Sequence, residues 1–128
     1  MSTTQDLKQQ DWATQARRAL GPVEVVSRLA QLPGWKLTGD GADVAIEKTY
    51  AFRDYYQTLA FVNALALIAH RHDHHPDLLV RYGSCNVRFN THDVNGLSVT
   101  DFDCATAAEA LLAPPAAPSA TAAIAATA

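Results

Sequence analysis

The chain has 128 residues, 48% hydrophobic and 18% charged, with 10 Lys and Arg against 13 Asp and Glu and a formal net charge of -3. A chain of this length buries about two-thirds of its unfolded surface, enough for one core without a disulfide or metal staple, so neither general disorder nor a miniprotein scaffold fits. The absence of any Lys or Arg beyond Arg88 leaves no basic surplus for a phosphate backbone, which argues against nucleic-acid binding as the main role.

Residues 1–19 are polar and lack a clean apolar period, and read as a loosely ordered extension to which Leu7 and Trp12 add two docking points. Their lack of a basic start and an apolar stretch argues against a secretory signal, which makes the cytoplasm the expected location. Gly21-Pro22 followed by Val23, Val26, Leu29, Ala30 and Leu32 predicts a short first helix, stopped by Pro33-Gly34. Trp35 to Thr38, the turn Gly39 to Ala42, and Val44 to Phe52 predict a hairpin. Lys48 stands in the second strand where an apolar residue is due, and reads either as a snorkelling edge lysine or as a contact at a polar site.

From Asp54 the period becomes helical, with Tyr55, Leu59, Val62, Ala66 and Ala69 on one face and Tyr56, Leu65 and Ile68 beside them. This predicts a long, mostly buried second helix. It ends near His74, because Pro76 forces His75 out of helical geometry. The stretch from Leu59 to Ala69 is too short for a membrane span and contains Asn63. Leu78 to Tyr82, the Gly83-Ser84 turn, and Cys85 to Thr91 predict a second hairpin. After the loop His92 to Leu97, Ser98 with Asp101 three residues on has the form of a capping box, and Phe102, Ala105, Ala108 and Leu112 continue a third helix. Residues 113–128, almost all Ala, Pro, Ser and Thr, read as a disordered tail. The folded unit is therefore 20–112, with the order αββαββα. The expected fold is α+β: a four-stranded antiparallel sheet with three helices packed on one face. Cys85 and Cys104 lack CxxC spacing and are expected to be a reduced, buried pair.

Four of the five histidines, His70, His72, His74 and His75, crowd around the end of the second helix. His70 and His74 have the i, i+4 spacing of a two-histidine metal site, and a metal protein using His70, His72 and His74 is one hypothesis. Against it, Arg71 follows His70 where a zincin motif carries Glu, and its charge opposes a divalent ion. The plainer role for such rings, and the one expected of His72, is to favour the negative end of the helix. Pro76 makes His74 and His75 diverge from the helical path, and His92 and Asp101 follow at fixed spacing.

With these pieces in place, Leu32-Pro-Gly-Trp35, Ile46-x-Lys48-x-Tyr50-x-Phe52, Asp73-His74-His75-Pro76, Thr91-His92 and Gly96-Leu97-Ser98 leading to Asp101, the sequence resembles the pterin-4a-carbinolamine dehydratases, also known as dimerisation cofactors of a homeodomain transcription factor. The resemblance covers roughly Leu20 to Leu112 and carries the same αββαββα fold. It implies loss of water from a 4a-hydroxytetrahydropterin to give quinonoid dihydropterin. That reaction recycles the cofactor of aromatic amino acid hydroxylases and needs no redox cofactor. The partners expected are a second copy of the chain, as homodimer or homotetramer, and a functional link to such a hydroxylase, while hydropathy and charge argue against a membrane and against direct nucleic-acid contact.

By the same resemblance His74, His75 and His92 form the catalytic and pterin-binding set, without a metal; acid and base among them stay open, and the expected placement is His74 nearest the C4a hydroxyl with His75 and His92 flanking the ring. Asp101 orients a histidine or meets the pterin's donor edge, unless it only caps its helix. Asp73 is divided between pterin binding and capping, and Trp35 between walling the site and the core. Two positions depart from the pattern: His70 stands where glutamate is frequent, and Leu78 where a large aromatic is common. The alternative on the same fold is a non-catalytic dimerisation or assembly module.

Overall fold

The computed structural model describes residues 18–112, so the expected tail and most of the expected N-terminal extension lie outside the described residues. Helix α1 spans Pro22–Leu29, strand β1 Lys36–Thr38, β2 Ala45–Ala51, helix α2 Tyr55–His72, β3 Asp77–Arg81, β4 Ser84–Phe89 and helix α3 Val99–Leu112. Single 3-10 turns occupy Gly41–Asp43 and His92–Val94. The strands form one antiparallel sheet in the order β1-β2-β4-β3. This is the α+β arrangement the sequence predicts, with two hairpins joined by the pairing of β2 with β4.

Register explains the core. Ile46, Lys48 and Tyr50 of β2 lie opposite Phe89, Val87 and Cys85 of β4, and Leu78 and Val80 of β3 lie opposite Val87 and Cys85. Because side chains alternate between faces, these residues all point to the helix side. The other face is polar, with Glu47 opposite Arg88 and the Asn86 amide donating to the Thr49 hydroxyl at 2.9 Å. Phe61 and Leu65 of α2, Phe102, Cys104, Ala105 and Ala108 of α3, and Val25, Leu32, Trp35 and Leu97 close the core over the sheet. Burying a side chain such as Leu65 or Phe89 contributes about 1.5–3 kcal/mol each. Both cysteines are buried thiols outside any disulfide, as expected, and burial pushes the Cys85 thiol above its ordinary range.

Two helical faces differ from expectation. In α2 the buried residues are Thr58, Phe61, Leu65 and Ala69, while Tyr55, Tyr56, Leu59 and Leu67 are exposed. The helix is thus apolar on two sides, and periodicity alone does not say which side the sheet takes. Thr58 belongs to the core because its hydroxyl has two backbone acceptors, Asp54 O and Tyr82 O, both at 2.9 Å. In α1 the buried residue is Val25, and Val23 and Val26 are exposed. Among the described residues no helix is long and apolar enough to cross a membrane.

Candidate active site

Helix α2 starts where the Asp54 carboxylate accepts from the Gln57 N–H at 2.8 Å. It ends at His72, two residues earlier than the sequence suggests. Asp73 takes the left-handed conformation (φ 46°, ψ 45°), and the His74 N–H donates to Ala69 O while the Asp73 N–H donates to His70 O. These are the paired bonds of a Schellman ending, here without its usual glycine, and a non-glycine residue in this region costs about 1–2 kcal/mol. The reversal takes His74 off the helical face shared with His70, so the i, i+4 metal spacing is not realised. His70 is exposed and His74 is buried. His72 keeps a structural bond, its Nδ1–H donating to Ile68 O at 3.0 Å near the helix end.

His74 meets Asp101 of α3. Its Nε2 lies 2.5 Å from Asp101 Oδ1, with His74 8% and Asp101 0% exposed, so each must find its partner inside the protein. Asp101 Oδ2 accepts from the Thr91 hydroxyl at 2.6 Å and from the Ser98 N–H at 2.9 Å. The capping box predicted at Ser98 is therefore half formed. The carboxylate caps the Ser98 N–H, whereas the Ser98 hydroxyl turns to Thr91, 2.8 Å away. A carboxylate with three donors is an acceptor throughout, which assigns the His74 proton to Nε2 and leaves Nδ1 to exchange protons elsewhere. The His74 ring lies nearly parallel to Phe89, with centroids 5.9 Å apart.

The remaining sequence candidates fall into two groups. His75 and His92 are exposed, and each is the chain neighbour of a member of the buried network, His74 and Thr91. His70 and Asp73, also exposed, sit at the end of α2, His70 in its last turn and Asp73 at its C-cap. Trp35 is buried in the core, one ring removed from His74. It stacks on the far partner Phe89 at 6.0 Å, and its Nε1–H donates to Glu109 at 2.9 Å.

Glu109 is the residue that sequence reasoning missed. Its Oε1 also accepts from Lys48 Nζ at 2.6 Å and from the Tyr50 hydroxyl at 2.7 Å. Lys48 donates further to Pro33 O and lies over the Tyr50 ring, so the unexpected strand lysine is a contact at a polar site. Partial burial pushes the Glu109 carboxyl up, but the bonds from Lys48, Tyr50 and Trp35 outweigh it and hold the group below its ordinary value. Burial and the adjacent Glu109 push the Tyr50 phenol strongly upward, so it stays a donor. The available signal was the inward lysine itself, which required an acid on a facing element.

Residues 18–111 match the family model described as pterin 4 alpha carbinolamine dehydratase. A protein of Paracidovorax citrulli, provisionally named a pterin-4-alpha-carbinolamine dehydratase, is 59% identical over 113 residues, covering 88% of this chain and 97% of its own. A protein of the same provisional name from Stenotrophomonas maltophilia is 55% identical over 92 residues, covering 72% of this chain and 78% of its own. The crystal structure of a transcriptional coactivator/pterin dehydratase from Brucella melitensis superposes with a TM-score of 0.70 at 28% identity, covering 75% of this chain and all of that one. The same fold occurs in a pterin dehydratase-like protein described as a RuBisCO assembly factor, at a TM-score of 0.53 and 24% identity, covering 61% of this chain and 88% of that one. Matched along nearly the whole of its described length, the chain belongs to the pterin-4-alpha-carbinolamine dehydratase family.

Proposed function

We propose that the protein dehydrates 4a-hydroxytetrahydropterin to quinonoid dihydropterin by histidine acid-base catalysis. The observation that carries this reading is the buried His74–Asp101 pair, set in a chain of this family. A histidine inside a protein can hold a second proton only where a carboxylate compensates the charge, and Asp101 does so. His74 is accordingly the acid. From Nδ1 it gives a proton to the C4a hydroxyl, which departs as water. The N5 lone pair forms the C4a=N5 double bond, and the N5 proton passes to a neutral imidazole, His75 or His92. The step is redox-neutral and consumes no cofactor. Asp73 and His70 border the approach as substrate-binding groups, and Trp35 supports the site through Phe89. Asp101, being fully buried, acts on the pterin only through His74.

On this reading 20–112 is the catalytic domain, and the product re-enters the cofactor pool of an aromatic amino acid hydroxylase in the cytoplasm. The experiment is a stopped-flow assay of 4a-hydroxytetrahydropterin decay with and without the protein. Acceleration over buffer is expected, falling about 100-fold or more in His75→Ala or His92→Ala. Folded protein that gives no acceleration overturns the proposal. A second reading, a dimerisation or assembly module without catalysis, draws on the exposed apolar side of α2. It predicts association that is indifferent to those histidines.

A further inference from the structure

Thr91 belongs to neither set of candidate catalytic side chains, yet it touches both of the segments that carry them. It lies two residues beyond β4 and is 3% exposed. Its backbone forms an isolated antiparallel bridge with Gly96, the Thr91 N–H donating to Gly96 O at 2.9 Å. That bridge closes a four-residue loop which opens on the His92–Val94 turn and ends on Asn95 in the left-handed region (φ 51°). The same residue's hydroxyl donates to Asp101 Oδ2 and accepts from the Ser98 hydroxyl.

The terminal torsion of an aspartate is soft, with broad and roughly two-fold preferences. The Ser98 N–H alone holds Oδ2 at one point and leaves the carboxylate plane free to tilt about it. A second donor at 2.6 Å fixes the plane, and with it the direction in which Oδ1 faces His74 Nε2. We infer that Thr91 is a positioning residue: its hydroxyl sets the Asp101 carboxylate and hence the His74 ring, while its backbone bridge sets the turn that bears His92. The inference deepens the dehydratase reading and rests on it for its catalytic consequence. Its geometric consequence stands apart.

The test compares Thr91→Val, which keeps the branched shape and removes the hydroxyl, with Thr91→Ser, which keeps the hydroxyl, in the full chain. Two readouts are taken: the imidazole 15N and 1H resonances of His74, and kcat and KM for dehydration. In Thr91→Val the His74 nitrogens are expected to move from a fixed Nε2–H pattern towards a tautomer mixture, and kcat to fall about tenfold with KM changed less than about twofold. Thr91→Ser should restore the ring signals and most of kcat. Where Thr91→Val does not fold, Thr91→Cys, with its weak S–H donor, should fall between Ser and the loss of the donor on both readouts. Folded Thr91→Val with unchanged His74 resonances and kcat overturns the inference, as does Thr91→Ser impaired like Val, or Cys equal to the native residue. A native protein that does not accelerate dehydration overturns the catalytic reading, and the His74 resonances then decide the positioning role by themselves.

Discussion

At the scale of single residues, the site depends on one buried hydrogen bond. His74 reaches Asp101 because Asp73 reverses the chain at the end of α2, and Asp101 faces His74 because Thr91 and Ser98 occupy its other oxygen. Asp101→Asn turns an NH2 group towards at least one of the three buried donors that the carboxylate serves, and a buried donor left unsatisfied costs about 1–3 kcal/mol. The variant is therefore expected to lower the urea unfolding free energy by about 2 kcal/mol. It should also lower kcat by about 100-fold, since the imidazolium loses its counter-charge. Equal rates in the folded variant and the native protein would place the proton transfer on another group. The Asp73-His74-His75-Pro76 run and Asp101 were legible in the sequence. So was the bond from the Ser98 N–H to Asp101, as half of the capping box, whereas the Thr91 hydroxyl bonds were not, because a hydroxyl's partner depends on which loop folds over it.

At the scale of elements, α3 is pinned at two points by an acid, to the loops at its start and to the sheet in its second half. Asp101 holds its first turn to His74 and the loop before it, and Glu109 holds its second half to Trp35, Lys48 and Tyr50. Between them the helix offers mainly Phe102, Cys104, Ala105 and Ala108 to the core, and the small residues let α3 lie close to its neighbours. Glu109 also gives the fold a pH dependence with a definite sign. Its folded carboxyl titrates below the ordinary value of about 4.5, so its stabilisation is complete above that pH and is lost as pH falls through the folded value. Glu109→Gln is expected to lower the urea midpoint at pH 7, a loss of about 1–2 kcal/mol for hydrogen bonds to a charged group. The gap between variant and native protein should close as pH falls through the folded value. A gap that persists unchanged in acid would mean that the Glu109 charge contributes nothing. Lys48 was visible as an anomaly in β2, but its partner lay 61 residues away in an alanine-rich helix with no motif.

At the scale of the whole molecule, one side of the sheet is covered by helices and α2 keeps a second apolar side. Tyr56 is 84%, Leu67 52% and Leu59 37% exposed along that side. Exposed Asn63 interrupts this side, but large apolar residues at helical spacing still favour burial against another copy of the same surface. Leu67→Glu is expected to shift the protein to a smaller species in size-exclusion chromatography with light scattering, with its circular dichroism spectrum unchanged. A native protein that is already monomeric at micromolar concentration would remove this expectation.

Local patterns in the chain were enough for the element order, both hairpins, the limits of α2 to within two residues, the third helix and its polar start, and the histidine, aspartate and proline spacing that carries the family resemblance. These are local properties. Alternation, helical period, capping residues and proline act within a few positions of the chain. Which apolar side of α2 meets the sheet, that His74 rather than His75 or His92 is the histidine that Asp101 holds, and that Glu109 gathers Lys48, Tyr50 and Trp35 were settled by tertiary structure. Each is a choice among partners distant in sequence. It is settled by strand register and by the requirement that every buried charge find a counter-charge or donor, and no local pattern encodes either.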